Sequence, residues 1–145
     1  MDAFPHHYTV TATGSNQDSH ITVSSAGLTD IATDAPAEFG GPGDQWSPEA
    51  LIMAAVADCF ILTFRAISRA SKLEWESIHC EATGTLDRVE RITKFTEIAL
   101  KVSITASGDA RPEQVERILH KAEEGCLITN SMTATVSLST DISIA

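Results

Sequence analysis

The residues most able to do chemistry in this sequence are three cysteines, Cys59, Cys80 and Cys126. A thiolate can attack a peroxide, and the sulfenic acid that results can condense with a second thiol into a disulfide. The odd number of cysteines and the lack of a C-x-x-C pair fit neither a disulfide scaffold nor a zinc knuckle. Each cysteine is therefore either a packing residue, the commoner role of a free cysteine, or a reactive thiol.

Other kinds of site have weaker support. The Gly-rich segment at 40–43 lacks the following lysine of a phosphate-binding loop and is predicted to be a turn. The sequence leaves a Ser-His-Asp triad open but contains no G-x-S-x-G elbow. We expect no metal and no other cofactor, because no metal-ligand spacing links the five histidines, His6, His7, His20, His79 and His120.

Length and charge limit the class of protein. The chain has 145 residues and is predicted to be a single domain, 1–145. Its formal net charge of −10 argues against nucleic acid and anionic membranes as partners, because both bind clustered Lys and Arg. The first ten residues lack the basic and apolar regions of a secretory signal, so the cytoplasm is the expected location.

Cys59 lies at the centre of the longest predicted element, a helix over residues 47–73. This segment opens with Ser-Pro-Glu: a good N-cap, a residue suited to the first helical position, and an anion that the helix dipole favours. Residues 51–64 are apolar on every side apart from Asp58, Cys59 and Thr63. A helix without a polar face is expected to be buried, and this run is shorter than a membrane span of about 18–20 apolar residues.

The other predicted elements are strands and one amphipathic helix. Alternation predicts strands at 8–13, 20–25, 28–32, 75–86, 96–104 and 133–144. Cys80 is in phase with the apolar residues of its strand and is expected to be inert packing. The second helix is expected to begin at Asp109 and to end at Gly125, with one apolar stripe formed by Val115, Ile118, Leu119 and Ala122.

The element order indicates an α+β fold with mostly antiparallel strands. A fully apolar helix needs a sheet on one side and another apolar helix on the other. The amphipathic second helix has only one apolar stripe with which to cover the long helix. A symmetric homodimer that pairs two copies of the long helix would bury it.

Three stretches, YTVTATG, SPEALIMAAVADCF and AEEGCLITNS, resemble the OsmC/Ohr family of thiol-dependent peroxidases. The resemblance covers nearly the whole chain in element order. It implies an OsmC-like intertwined homodimer, in which sheets wrap two long helices, and the reduction of organic hydroperoxides. It also implies that Cys59 is the attacking thiol, Cys126 the resolving thiol and Glu49 part of the polar network around Cys59. The resemblance does not indicate which dithiol would reduce the resulting disulfide.

Helix geometry limits how Glu49 could serve Cys59. Ten helical residues separate them by about 15 Å along the axis and by roughly 80° around it. Either the first turn breaks away from the helix, or Glu49 serves the cysteine of a partner subunit. The walls of an organic substrate site are expected to come from Ile52, Val56 and Phe60, with Phe39 or Trp46 as further candidates.

One feature departs from the family pattern. Its peroxidases place an arginine in the first hairpin turn or in the loop before the Pro-Glu, whereas all six arginines here follow Glu49. Burial and the neighbouring Asp58 are therefore expected to hold the Cys59 pKa near or above about 8.5, unless Arg88 or Arg91 reaches it across a dimer. The alternative function is a non-catalytic relative that binds a small apolar or thiol-reactive ligand in the same cleft.

Overall fold

The computed structural model describes all residues from Met1 to Ala145. Contacts within the chain form two compact units, Met1–Ile52 and Met53–Ala145. The long helix belongs to both, because the division falls inside its second turn. The architecture is mixed α+β with a long helix, and it confirms the predicted fold class.

The first unit contains a small antiparallel sheet in the order β1-β2-β3. The predicted hairpin and third extended piece are confirmed, although β1 begins three residues later than expected. A single turn of 3-10 helix, Ala37–Phe39, interrupts the loop that follows. The three strands are β1 (Thr11–Ser15), β2 (Asp18–Ser24) and β3 (Ile31–Thr33).

The long helix α1 spans Pro48–Ser71. Its predicted start is confirmed: Ser47 Oγ accepts a hydrogen bond from the backbone N–H of Ala50 at 3.1 Å, so one of the unpaired amides of the first turn is satisfied. The predicted burial of the whole helix depends on a homodimer, and within a single chain it is partial. Only one stripe is buried, and it consists of Val56, Phe60, Phe64 and Ser68.

Helix α1 also passes the length and composition test for a membrane span. Its best 18-residue window has a mean hydropathy of 2.0, and 17% of that window is buried. The core helix of a globular protein passes the same test, and the buried stripe of α1 packs into the core of the second unit.

The second unit is built on a sheet in the order β4-β5-β6. Its long hairpin joins β4 (Trp75–Val89) to β5 (Ile92–Ala106), and β6 (Thr135–Ile144) pairs with β5 in parallel. The hairpin turns at Glu90 and Arg91 and not at 87–90 as expected. Both residues have positive φ, 50° and 70°, a geometry that usually selects Asn or Gly, so the sequence carried no turn signal there.

Two helices connect β5 to β6. Helix α2 (Pro112–Glu124) has Arg111 and not Asp109 as its N-cap, and its predicted apolar stripe is buried. Gly125 ends α2 as expected, but with a φ of −91° and not in the left-handed region. A single-turn helix that the sequence analysis missed, α3 (Leu127–Asn130), follows at once, with Cys126 as its N-cap.

The core of the second unit lies between α1, α2 and one face of the sheet. Alternate residues of β5 provide its floor, which confirms the predicted strand periodicity. The fully buried residues include Val56, Phe60, Phe64, Ile98, Leu100, Val102, Val115 and Leu119. This packing fixes α1 against the sheet and so determines where Cys59 stands.

Candidate functional site

Cys59 is half-buried in the middle of α1, next to the buried stripe. One turn later, the hydroxyl of Thr63 donates a hydrogen bond to the Cys59 carbonyl oxygen at 2.8 Å. The same hydroxyl lies 3.9 Å from Cys59 Sγ. The thiol is thus held within a regular helix and keeps partial access to solvent.

Cys126 is fully buried where α2 gives way to α3. Its carbonyl oxygen accepts hydrogen bonds from the backbone N–H of Asn130 at 3.0 Å and from the hydroxyl of Thr129 at 3.2 Å. The preceding Gly125 passes close to the Lys121 carbonyl oxygen, which an added Cβ would approach to 3.3 Å. The same Cβ would lie 3.5 Å from Cγ2 of Thr63, so the turn at Gly125 runs close to α1, one helical turn beyond Cys59.

The pKa of Cys59 is lowered from its ordinary value, which contradicts the expected direction. Burial is the largest influence and raises the pKa, but hydrogen bonds to the sulfur outweigh it. They come from the backbone N–H of Ile128, the Cys126 thiol and the backbone N–H of Leu127. The Thr63 hydroxyl, 3.9 Å from the sulfur, joins them when its proton turns from the Cys59 carbonyl oxygen to the sulfur. Backbone N–H donors thus stabilise the Cys59 thiolate and lower its pKa, an effect that was expected only from an arginine.

These donors were missed by the sequence analysis, although the segment CLITN directly after a glycine held a usable signal. A helix end followed by four residues able to form one more turn leaves free amides at the new start. The structure places Cys59 and Cys126 together at this point. Neither Arg88 nor Arg91 lies among the residues that line the site.

The pKa of Cys80 is shifted in the opposite direction from that of Cys59. Burial, with a smaller contribution from the nearby Cys126, raises the pKa of Cys80 to about 11. The residue pairs with Val102 across the β4–β5 ladder and packs against the core. A thiol with so high a pKa is almost wholly protonated at neutral pH, so Cys80 is a poor nucleophile.

Cys59 opens into a groove of about 480 Å³ within the second unit. Val56 and Phe60, two of the expected walls, are fully buried in the core and do not line it. Phe39 and Trp46 line other cavities, both within the first unit. The groove is mainly apolar, and its lining consists of Ala55, Asp58, Cys59, Leu62, Thr63, Ala66, Leu127 and Ile128.

Glu49 lies in the first turn of α1, and the helix continues from it without a break to Ser71. The first turn therefore does not unwind, which removes one of the two ways in which Glu49 was expected to serve a cysteine. Its Oε1 atom is buried and has no hydrogen-bond partner.

A family comparison matches residues 41–141 to the description "OsmC-like protein". The chain belongs to the OsmC-like protein family. The matched range includes Glu49, Cys59 and Cys126, so the predicted site lies within the part of the chain that defines an OsmC-like protein.

Individual relatives agree with this assignment. An uncharacterised protein of Bacillus subtilis, YmaD, is 25% identical over 142 residues, which cover 96% of this chain and 95% of YmaD. Peroxiredoxin OsmC of Escherichia coli is 32% identical over 93 residues, 63% of this chain and 64% of that protein. Among solved structures, an OsmC-like protein of unknown function from Vibrio cholerae superposes with a TM-score of 0.86 at 24% identity, covering 94% and 99% of the two chains. An organic hydroperoxide resistance protein OsmC from Legionella pneumophila gives a TM-score of 0.73 at 25% identity, covering 96% and 99%.

The lowered pKa predicts the pH profile of Cys59 in this OsmC-like protein. Only the thiolate is alkylated, so the rate with iodoacetamide rises with pH and levels off above the pKa. We expect the Cys59 profile to level off at a lower pH than that of an ordinary free cysteine, whereas Cys80 should react only in strongly alkaline solution. Peptide mapping by mass spectrometry separates the two sites.

The matched variant is Cys126→Ala, which removes one donor and should raise the Cys59 pKa. Asp58→Ala removes an exposed charge beside the thiol and should lower that pKa slightly. A wild-type profile that levels off only above pH 9 would contradict the role of the α3 amides.

Proposed function

We propose that this protein is a thiol peroxidase that reduces organic hydroperoxides, with Cys59 as the attacking thiol and Cys126 as the resolving thiol. The observation that carries the proposal is the surroundings of one sulfur atom. Cys59 combines a lowered pKa, an adjacent second thiol and an apolar groove. A thiolate, a resolving thiol and space for an apolar substrate are the three requirements of this chemistry.

The proposed reaction has two steps on the protein. The Cys59 thiolate attacks one peroxide oxygen, so that an S–O bond forms, the O–O bond breaks and the alcohol leaves after taking a proton from solvent. Cys59 is now a sulfenic acid, and the peroxide has gained two electrons. The Cys126 sulfur then attacks Cys59, a disulfide forms and water leaves. An external dithiol must reduce this disulfide and so return both thiols.

The groove lining favours an organic substrate over hydrogen peroxide. Leu62, Leu127 and Ile128 surround the thiol with apolar surface, and Asp58 is the one charged residue at the edge. An alkyl or aryl group loses water-exposed surface when it enters such a groove, whereas hydrogen peroxide gains nothing. The names of two relatives, a peroxiredoxin and an organic hydroperoxide resistance protein, support the same substrate class.

The proposed active unit is a homodimer in which α1 of one subunit packs against α1 of the other. Support comes from the apolar surface that α1 leaves uncovered, including Leu62, a residue that is 52% exposed. A dimer would also let Glu49 join the polar network around the partner's cysteine. Sedimentation velocity tests the assembly, because a compact single-chain mass at micromolar concentration would contradict it.

The second candidate function, a ligand-binding protein without turnover, rests on one observation. No lysine or arginine lines the Cys59 groove, so nothing there orients a peroxide by its charge, and the one ion present is the Asp58 carboxylate. A protein of this kind would keep the groove and the reactive thiol but would not consume peroxide.

Peroxide consumption under steady-state conditions separates the two candidates. With dithiothreitol as the reductant, wild-type protein should consume cumene hydroperoxide at least about tenfold faster than hydrogen peroxide, because the groove offers binding surface only to the former. The loss of each peroxide is followed with a ferrous dye assay. Stoichiometric alkylation of Cys59 without consumption of either peroxide would assign the protein to the ligand-binding class.

A further inference from the structure

Besides the thiol itself, the groove in front of Cys59 has one ionisable side chain, and its charge is negative. Asp58 directly precedes the thiol in α1, is exposed, and lines the groove of about 480 Å³ together with Cys59. No lysine, arginine or histidine is among the lining residues. A substrate that reaches the sulfur therefore comes close to a carboxylate and to no cationic side chain.

The charge of Asp58 is not neutralised within the chain. The two ion pairs of the chain each join a histidine to another carboxylate, so no lysine or arginine is paired with Asp58. Arg65 lies on the same face of α1, but seven helical residues place it about 10 Å away along the axis. Arg65 does not line the groove. The field of Asp58 therefore acts directly on a molecule that enters.

The hydrogen-bond donors in the groove already have acceptors. The backbone N–H groups of Leu127 and Ile128 and the thiol of Cys126 donate to the Cys59 sulfur. The hydroxyl of Thr63 donates to the Cys59 carbonyl oxygen at 2.8 Å. The rest of the wall is mainly apolar. An anionic group that enters the groove thus loses hydrating water without gaining a new donor, which is unfavourable.

The wider distribution of charge has the same sign. All ten Lys and Arg residues lie beyond Ile52, in the second unit, whereas the first unit carries seven of the 20 Asp and Glu residues. If a dimer brings the first unit of a second copy over the groove, that unit adds no Lys or Arg side chain. The formal net charge of −10 also repels anions at longer range.

We infer that this groove selects substrates by charge: it accepts neutral organic hydroperoxides and excludes those that carry a carboxylate, and Asp58 determines this selectivity. Repulsion between two negative charges is stronger in a cleft with apolar walls than in open water. The uncompensated loss of hydration acts in the same direction. The inference rests on the proposed peroxidase function for the identity of the substrate, but other reagents that attack Cys59 measure the charge selectivity independently.

The first test compares the alkylation of Cys59 in the full-length protein by iodoacetate and by iodoacetamide, a matched anionic and neutral pair. Peptide mapping by mass spectrometry gives both rate constants at Cys59, and their ratio is divided by the same ratio for 2-mercaptoethanol. Both reagents need the thiolate, so a change in the Cys59 pKa cancels in this normalised ratio. At an ionic strength of about 10 mM, where the Debye length is about 30 Å, the wild-type value should be at least about fivefold below that of the free thiol.

A matched pair of variants isolates the contribution of Asp58. Asp58→Asn should raise the normalised ratio at least about threefold, because it removes the charge beside the sulfur and keeps the shape. Asp141→Asn makes the same substitution at an exposed residue of β6 outside the groove and should change the ratio less than about 1.5-fold. In about 1 M salt, where the Debye length is about 3 Å, the wild-type ratio should approach that of Asp58→Asn.

The second test uses two peroxides of similar size: cumene hydroperoxide with a para carboxylate, and the methyl ester of that compound. Wild-type protein should consume the neutral ester at least about fivefold faster than the carboxylate, and Asp58→Asn should narrow this difference. Both peroxides are followed with dithiothreitol as the reductant.

The two tests separate a failure of the charge selectivity from a failure of the peroxidase function. A wild-type alkylation ratio equal to that of the free thiol would overturn the selectivity, and equal ratios in wild type and Asp58→Asn would overturn the role of Asp58. Consumption of both peroxides at the same rate would overturn the inference and leave the peroxidase function standing. If neither peroxide is consumed but the alkylation ratios behave as expected, the charge selectivity stands and the peroxidase function fails.

Discussion

Replacing Cys59 with serine is expected to reduce the consumption of organic hydroperoxide by at least about a thousandfold. A serine hydroxyl remains protonated at neutral pH, and no histidine or lysine lines the groove to act as its base. The same donors that stabilise a thiolate at this position give no comparable help to a neutral alcohol. The fold should be unaffected, because serine is close to cysteine in size and position 59 is only half-buried.

Cys80→Ser provides the matched control for this loss. It makes the same change at another half-buried cysteine, one whose pKa of about 11 makes it a poor nucleophile. We expect it to retain most of the wild-type turnover. If Cys59→Ser keeps its activity and loses it only when Cys80 is also replaced, then Cys80 and not Cys59 is the attacking thiol.

Cys126→Ser tests the second step of the same mechanism. Without a resolving thiol, Cys59 should react once and stop as a sulfenic acid, which a dimedone probe traps and further peroxide converts to the sulfinic acid. Turnover with dithiothreitol should fall, while the first reaction with peroxide should still occur. A variant that cycles at the wild-type rate would show that Cys126 is not the resolving thiol.

The sequence was sufficient to predict those helices and strands whose structure is decided by local chemistry and periodicity. The start of α1 followed from three residues, because an N-cap serine, a first-turn proline and an acidic residue each favour a helix start. The period of 3.6 identified all four buried residues of α2, and alternation identified β5. Because each of these elements buries one face, the spacing of its apolar residues predicts which side chains enter the core.

The activation of Cys59 could not be obtained in this way. A cation near Cys59 was expected as the activating group, because a positive side chain is visible in a sequence. The groups that lower the pKa are instead two backbone amides of α3 and the neighbouring side chains of Thr63 and Cys126. The segment CLITN after Gly125 can form one more turn with free amides at its start, but four residues are too few to display a period, so the sequence does not show that these amides face Cys59. Backbone N–H groups carry no residue signature, so only the folded chain shows where they point.

The apolar character of α1 follows directly from the sequence, whereas the surface that covers it does not. Hydrophobicity along the helix does not say whether the covering surface comes from the same chain or from another one. In a single chain, the stripe from Val56 to Ser68 is covered, while Leu62 on another face is largely exposed. Substitutions on these two faces are therefore expected to have different consequences.

Val56→Asp should abolish the folded state. Val56 is fully buried, and an ionised carboxylate placed there has no partner, at a cost of several kcal/mol. That cost is comparable with the whole stability of a domain, about 5–15 kcal/mol. Val56→Ala should fold but lose about 2 kcal/mol from the free energy of unfolding. Circular dichroism during denaturant unfolding measures both changes, and an unchanged midpoint for Val56→Asp would show that this stripe is not a packed core.

Leu62→Asp should instead leave the subunit folded and weaken the dimer. Leu62 is exposed in the single chain, so the new carboxylate stays hydrated there, but pairing two copies of α1 would bury it near its symmetry mate. We expect the dimer dissociation constant, measured by sedimentation, to rise at least about a hundredfold with an unchanged circular dichroism spectrum. Leu28→Asp makes the same substitution at an exposed turn of the first unit and should leave the constant within about threefold. If Leu62→Asp forms a dimer as stable as that of the wild type, the uncovered face of α1 is not the dimer interface. If the wild-type protein is recovered only with membranes, that face binds lipid.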